Sequence, residues 1–147
     1  MIIPFSPPFI DDTVINEVVD SLRSGWITSG PKVKALEGEI KDFSTAKEVL
    51  CVNSWTSGAI MMLRWLGVKP GDEVIVPAYT YSATAMAVLH AGAKPVMVDS
   101  NKDLNISVEA IRKAITPKTK AIIPVDIAGF PCDYERIMAL VNTLEIR

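Results

Sequence analysis

The stretch EVIVPAYTYSATAMAVLHAGAKPVMVD, residues 73–99, decides the fold. It opens with a short run rich in Val at 73–77 and closes with a second such run at 94–99. A helical pattern lies between them at about 80–91, and the turn HAGAKP at 90–95 ends it. Runs this short are typical of strands. Their alternation with a helix therefore favours a parallel sheet covered by helices.

The same alternation continues on both sides of this stretch. Two further apolar runs, EVLCV at 48–52 and KAIIPVD at 120–126, bring the number of predicted strands to four. Further helical patterns lie at about 56–67, where Trp65 is expected in the core, at 107–116 and at 133–144. We therefore expect an α/β fold of three layers, in which helices cover both faces of a mostly parallel sheet.

The N-terminal third has a different organisation. A proline-containing arm, an amphipathic helix at 10–24 and the loop GWITSGP at 25–31 come before a second amphipathic helix at 33–43. We divide the chain into residues 1–31, which hold the arm, helix and loop, and residues 32–147, which carry the sheet.

The last helical pattern, DYERIMALVNTLEIR at 133–147, is not followed by a strand. A parallel sheet of four strands would leave an edge uncovered, so we expect a truncated piece of a larger domain. The alternative is a small domain of four strands that ends naturally.

Composition excludes several classes of protein. Hydrophobic residues make up 49% and charged residues 22% of the 147 positions, which is an ordinary globular balance. The net charge is -2 and no basic cluster is present, so we expect no nucleic-acid partner. The two cysteines fit no metal-binding spacing, and no metal is expected. No apolar run of membrane-spanning length and no signal peptide is seen, which predicts a cytoplasmic protein.

The segment CVNSWTSGA at 51–59 joins the first apolar run to a helix. Backbone N–H groups at the start of a helix bind phosphate well, and this position lies at the ligand-binding edge of a parallel sheet. Ser54, Thr56 and Ser57 would add hydroxyl donors. The alternative is that Ser54 or Thr56 simply caps the helix.

Aromatic and acidic residues follow other predicted strands at the same edge. Tyr79 and Tyr81 come after the run at 73–77, where an aromatic ring can stack on a flat cofactor or pack against the protein. Asp99 and Asp126 close two further runs and are candidates for polar lining of this edge, although Asp99 also fits a turn.

Together these segments resemble the N-terminal part of the DegT-type (DegT/DnrJ/StrS) family of PLP-dependent nucleotide-sugar aminotransferases, where PLP is pyridoxal 5'-phosphate. The likeness covers nearly the whole chain, and both the order and the spacing of the matching segments agree. These are GWITSGPKVKALE (25–37), VNSWTSGA (52–59), GDEVIVPAYTYSATA (71–85), GAKPVMVD (92–99) and AITPKTKAIIPVDIAGFPCD (114–133).

The resemblance implies PLP aminotransferase fold type I and assigns site residues. Thr56 and Ser57, with Ser54 ahead of them, would lie under the cofactor phosphate, and Tyr81 would stack on the PLP ring. Trp55 departs from the glycine that the family usually has between the serine and the threonine. The loop near the mouth of the active site would contact substrate through Trp26, Thr28, Ser29 and Gly30.

The resemblance also implies an activity. The enzyme would transfer an amino group, typically from glutamate, to a keto sugar linked to a nucleotide, for polysaccharide, lipopolysaccharide or amino-sugar biosynthesis. It would be a homodimer in which both subunits build each active site. The lysine that attaches PLP and the aspartate that pairs with its ring nitrogen would lie beyond Arg147. We therefore expect no catalytic residue in this chain and no activity from it alone.

Two other interpretations stay open at this stage. A sugar dehydratase of the same family, in which histidine replaces the lysine, would share these segments. A non-catalytic remnant would share them as well.

Overall fold

A computed structural model describes residues 7–144 of the chain. The chain divides into two compact units, Met1–Cys51 and Val52–Arg147. Of the predicted arm, residues 1–6 lie outside the described part, and residues 7–9 have no regular structure. The end of the last predicted segment, residues 145–147, also lies outside it.

The first unit contains two helices, α1 (Asp12–Ser24) and α2 (Pro31–Phe43), close to their predicted positions. Helix α1 begins where the Asp11 carboxylate accepts the Val14 N–H at 3.0 Å. It ends at Gly25, whose φ of 73° lies in the left-handed region that glycine adopts without strain. Helix α2 begins with Pro31, since proline at the first helical position loses no hydrogen bond.

A charge cluster joins the two helices of this unit. The Lys32 ammonium lies 2.7 Å from the Glu17 carboxylate and 2.9 Å from that of Asp20. Neither helix has a buried residue, so the apolar stripe predicted on each of them faces outward.

The second unit is built on a sheet of three parallel strands. They are β1 (Glu73–Pro77), β2 (Lys94–Val98) and β3 (Thr119–Ile122), in the order β2-β1-β3. Ile75 of β1 aligns with Val96 of β2 and with Ile122 of β3. The expected parallel sheet is therefore confirmed for these strands.

Helices cover both faces of this sheet, as expected. Helices α3 (Trp55–Trp65) and α4 (Ala83–His90) pack with Val74 and Val76 of β1 on one face. Helices α5 (Val108–Ala114) and α6 (Tyr134–Leu144) pack with Ile75 on the other. Because successive side chains of a strand point to opposite faces, the central strand β1 contributes to both cores and is buried throughout.

One predicted strand is absent. Residues 48–52 form no strand, although they are as rich in apolar residues as strands β1, β2 and β3. A strand needs a neighbour that pairs with its backbone, and residues 48–52 take no place in the sheet, whose order is β2-β1-β3. The Cys51 N–H instead donates to the Glu37 carboxylate at 2.8 Å. The prediction of four strands is therefore wrong for this structure.

Glu73 ties the three strands together at their N-terminal ends. Its two carboxylate oxygens accept hydrogen bonds from the Lys94 ammonium of β2 at 3.1 Å and from the Thr116 hydroxyl, which precedes β3, at 2.6 Å. Its backbone N–H donates to the Lys118 carbonyl at 2.8 Å. The Thr116 hydroxyl, and after it Lys94, hold the pKa of the Glu73 carboxyl below its ordinary value of 4.5.

Candidate functional site

A cleft of about 580 Å³ opens at the C-terminal ends of β1 and β3. Its walls come from the start of α3, the turn after β1, the segment after β3 and the start of α6. The lining residues are Trp55, Thr56, Thr80, Tyr81, Ala83, Thr84, residues 124–128 and Tyr134.

The cleft coincides with the point where the strand order reverses. The chain leaves β1 through α4 to β2 on one side, whereas β3 lies on the other side of β1. Loops that leave in opposite directions open a crevice at the strand ends, and open α/β sheets bind their ligands there. The cleft therefore lies where open α/β sheets bind their ligands.

The start of α3 forms one wall. The Ser54 hydroxyl oxygen accepts the Ser57 N–H at 3.1 Å and donates its own proton to the Ser57 hydroxyl at 3.0 Å. Ser54 is therefore the helix cap, which was the simpler alternative for this segment. The N–H groups of Trp55 and Thr56 have no acceptor within the helix, as is general for its first turn.

Space at this wall is restricted by Gly58. A side chain there would bring its Cβ within 3.3 Å of the Val52 side chain, so the glycine allows the preceding segment to lie close to the helix. Of the three hydroxyl residues predicted for a phosphate, Thr56 lines the cleft, whereas Ser54 and Ser57 stand next to it.

The turn after β1 contributes an aromatic side chain. Tyr81 lines the cleft and is 81% exposed, so its ring is not used in packing. Tyr79 does not line it. The turn is fixed by a 2.9 Å hydrogen bond between the hydroxyls of Thr80 and the buried Thr84. A ligand ring therefore has an open aromatic face to stack on.

The segment after β3 adds a carboxylate. Asp126 lines the cleft, whereas Asp99 lies in the turn that follows β2, where its carbonyl accepts the Ser107 N–H at 3.0 Å. One Asp126 oxygen, Oδ1, accepts the Cys132 N–H at 2.9 Å and the Tyr134 hydroxyl at 3.0 Å. The Cys132 N–H holds the pKa of the exposed Asp126 carboxyl below its ordinary value of 3.8, and the Tyr134 hydroxyl acts in the same direction. Asp126 is therefore ionised at neutral pH.

Asn105 is a residue of this site that the sequence did not indicate. It is 2% exposed, and its side-chain oxygen accepts the Ile127 N–H at 3.1 Å. Its amide group donates to the Phe130 carbonyl at 3.0 Å. Between these two contacts Ala128 has a φ of 52°, a left-handed conformation that costs energy for any residue with a side chain. Asn105 thus holds a strained wall of the cleft in place.

The four residues predicted to contact substrate lie together in the first unit. The Trp26 indole N–H donates to the Ser29 carbonyl at 3.0 Å, and the ring lies so close to Gly30 that a Cβ there would collide with it. Thr28 lies in the same loop, and with Trp26 and Gly30 it lines a depression of about 390 Å³. The Trp26 side chain therefore folds back onto Ser29 and Gly30 of its own loop, although the residue is 58% exposed.

Neither a metal site nor a membrane-spanning helix is found among residues 7–144. Within this range no group of His, Cys, Asp or Glu side chains is arranged to hold a metal ion. The helices described there are all too short or too polar to cross a membrane.

Comparison with known proteins identifies relatives along the whole described chain. Residues 8–147 match the model of the DegT/DnrJ/EryC1/StrS aminotransferase family. The spore coat polysaccharide biosynthesis protein SpsC of Bacillus subtilis is 42% identical over 141 residues, which are 95% of this chain and 36% of SpsC.

Solved structures agree with this match. Spr1654 from Streptococcus pneumoniae, assigned as a sugar aminotransferase and solved in PMP and PLP forms, is 50% identical with a TM-score of 0.90. The match covers 96% of this chain and 36% of Spr1654. NtdA from Bacillus subtilis, solved with bound cofactor PMP, is 36% identical with a TM-score of 0.85, over 90% of this chain and 31% of NtdA.

The chain thus spans about a third of the length of these relatives. The expected fold, part of the large domain of PLP aminotransferase fold type I, is confirmed by the structural matches. With the family model matching all but the first seven residues, the chain belongs to the DegT/DnrJ/EryC1/StrS aminotransferase family.

Proposed function

We propose that the whole protein is a PLP-dependent aminotransferase that acts on a nucleotide-linked keto sugar, with glutamate as the amino donor. In this proposal the chain supplies part of the cofactor site. The observation that carries it is one cleft that brings Thr56, at the start of α3, together with the open ring of Tyr81. The relatives Spr1654 and NtdA support it, since both are solved with PLP or PMP.

The residues of the cleft fit the two parts of PLP. The backbone N–H groups of Trp55 and Thr56 and the Thr56 hydroxyl would hold the phosphate at the positive end of α3. The Ser57 hydroxyl oxygen accepts a hydrogen bond from the Ser54 hydroxyl, so the O–H of Ser57 stays free to donate to the same phosphate. Tyr81 would stack on the pyridine ring.

When bound, PLP supplies an electron sink for the carbon that loses its proton. The residues of this chain bind the cofactor and orient it. None of the ten lysines of the chain lines the cleft, and all ten are among the described residues. We infer that the lysine that attaches PLP comes from a part of the whole protein outside residues 1–147.

The loop of Trp26, Thr28, Ser29 and Gly30 would serve the substrate. SpsC, by its name, functions in polysaccharide biosynthesis, and Spr1654 is assigned to sugars, which supports a sugar substrate. Nucleotide attachment, glutamate and a cytoplasmic location are further parts of the proposal. The functional division at residues 31 and 32 also remains a prediction.

We also propose that the protein is a homodimer. The apolar stripe of α1 is solvent-exposed, with Val18 56% and Leu22 64% exposed, and large exposed apolar surfaces mark interfaces. Sedimentation of the chain at tens of micromolar, roughly the range in which weak association shows, should reveal self-association. A monomer at every concentration would contradict this part of the proposal.

The cofactor site can be tested on the chain itself by NMR titration with pyridoxine 5'-phosphate. This compound has no aldehyde, so surface lysines do not react with it. We expect the amide signals of Trp55, Thr56 and Ser57 to shift. A few neutral hydrogen bonds give an affinity of about micromolar to millimolar. Pyridoxine, which lacks the phosphate, should bind far more weakly.

The matched variants are Thr56→Val, which removes the hydroxyl at constant shape, and Thr45→Val, an exposed threonine of the first unit. The first should weaken binding severalfold and the second should leave it unchanged. Equal binding of pyridoxine and its phosphate, or shifts confined to residues outside the cleft, would overturn the proposal.

A further inference from the structure

The Asp126 carboxylate has no role in the cofactor contacts proposed above. It lies in the same cleft as Thr56 and Tyr81 and belongs to the segment after β3. Its Oδ1 atom accepts two hydrogen bonds, one from the Cys132 N–H and one from the Tyr134 hydroxyl. The Cys132 thiol also lies near this carboxylate, but it donates to the Val125 carbonyl at 3.3 Å. Among residues 7–144 both hydrogen bonds to the carboxylate therefore end on Oδ1, and Oδ2 accepts none.

The two donors to Oδ1 fix the orientation of the carboxylate. The Cys132 N–H is a backbone group of a buried residue in the loop before α6, and Tyr134 is the first residue of α6. Burial and the neighbouring Asp126 raise the pKa of Tyr134 to about 12, so its hydroxyl keeps the proton that it donates. The carboxylate therefore presents one defined acceptor.

The backbone around Asp126 is held as firmly. Asn105 fixes Ile127 and Phe130, and the strained Ala128 lies between them. Strain of this kind persists only where surrounding contacts maintain it, and it concentrates at ligand sites.

The charge of the cleft limits what Oδ2 can bind. No Lys, Arg or His is among its lining residues, all of which are described, so Asp126 is its only charged side chain at neutral pH. An ionised acceptor attracts a hydroxyl or an ammonium group and repels phosphate. The phosphate end of a ligand therefore belongs at α3, and a proton-donating group belongs at Asp126.

We propose that Oδ2 of Asp126 binds a hydroxyl or ammonium group of the ligand in this cleft, and that Tyr134 and Asn105 are positioning residues for it. This inference rests on the proposed cofactor site. It names the residue that binds the proton-donating end of the ligand, opposite to the phosphate. Asp126 then fixes which way round a ligand lies, with its anionic end at Thr56.

The test uses pyridoxamine 5'-phosphate, which carries both an amine and a phosphate, in titrations of the chain followed by NMR. Asp126→Asn keeps an oxygen for Cys132 and Tyr134 but places an NH₂ group where Oδ2 stood. We expect this variant to bind pyridoxamine 5'-phosphate at least about tenfold more weakly than the wild type, because one hydrogen bond to a charged group contributes a factor of about that size. The control Asp99→Asn changes an exposed carboxylate outside the cleft and should bind like the wild type.

A second measurement needs no variant. In the wild type, the ¹³C NMR signal of the Asp126 side-chain carboxyl should shift when the chain is saturated with pyridoxamine 5'-phosphate. The corresponding signal of Asp99 should not shift. If the wild type binds but the Asp126 ¹³C signal does not shift, this inference is overturned and the proposed cofactor site is retained. The same holds if a folded Asp126→Asn chain binds as tightly as the wild type. Absence of wild-type binding in the cleft would overturn the proposed cofactor site, and this inference with it.

Discussion

At the scale of single residues, the loop at 25–31 depends on the absence of a side chain at Gly30. The Trp26 ring occupies the space that a Cβ would need. We expect Gly30→Ala to displace the indole and to lower the free energy of unfolding by about 1–3 kcal/mol, the usual cost of overpacking. Urea denaturation and the tryptophan emission of the folded chain would measure both effects.

The matched control is Gly38→Ala on the exposed side of α2, where nothing lies within 4 Å of the position that a Cβ would take. Alanine favours a helix interior over glycine, so this change should raise stability by up to about 1 kcal/mol. Equal effects of the two substitutions would contradict the assigned role of Gly30.

Asn105 carries a second prediction at this scale. Asn105→Ala leaves the Ile127 N–H and the Phe130 carbonyl without their partner. We expect the free energy of unfolding to fall by about 1–3 kcal/mol, because two hydrogen bonds of a buried side chain are lost. Hydrogen exchange of the Ile127 amide should accelerate. Asn101→Ala, in a neighbouring turn, should change neither quantity.

Single site residues could be predicted only where position in the fold determines them. Thr56 and Tyr81 are candidates because they follow strand-like runs at the ligand edge, and the family resemblance assigns them to the cofactor; both line the cleft. Asn105 was missed because its partners lie 22 and 25 positions away, which no local pattern reveals. Trp65 was expected in the core and is 75% exposed, since its helix is apolar on more than one side.

At the scale of secondary-structure elements, the sheet depends on the charge of Glu73. Its pKa is lowered by Thr116 and Lys94, so its carboxylate stabilises the fold at pH values above 4.5. This contribution should be lost as the pH falls below 4.5 and through the lower pKa of the folded state. The unfolding free energy of the wild type should therefore fall over that range.

The variant Glu73→Gln tests this directly. At pH 7 it should be less stable than the wild type, and the difference should shrink on acidification, because the variant has no charge to lose there. Glu39→Gln, on the exposed surface of α2, serves as the control and should change the free energy of unfolding at pH 7 little. A difference between Glu73→Gln and the wild type that does not change with pH would contradict the ion-pair account.

Secondary structure was predictable where the side-chain pattern alone determines it. The six helices follow the spacing of apolar residues, and β1 to β3 follow runs of Val and Ile. The run at 48–52 has the same composition and forms no strand, because composition describes side chains and not the neighbour that must pair with the backbone. For this reason the layers were predicted more accurately than the number of strands.

At the scale of the whole molecule, we expect this chain to bind the cofactor without attaching it covalently. All ten lysines lie outside the cleft, so the PLP aldehyde should react with them only non-specifically, as it does with surface lysines in general. After incubation with PLP and reduction with borohydride, mass spectrometry should find partial labelling scattered over several lysines. Stoichiometric labelling of one lysine, together with amino transfer from glutamate, would show that the chain is an enzyme by itself.

The central claim is that the cleft between the ends of β1 and β3 is a PLP site whose phosphate lies at the start of α3. A crystal structure of the chain with pyridoxamine 5'-phosphate tests this most directly. We expect the phosphate within hydrogen-bonding distance of the Thr56 N–H and hydroxyl, with the ring stacked on Tyr81. A phosphate bound away from α3, with Tyr81 making no contact to the ring, would contradict the claim.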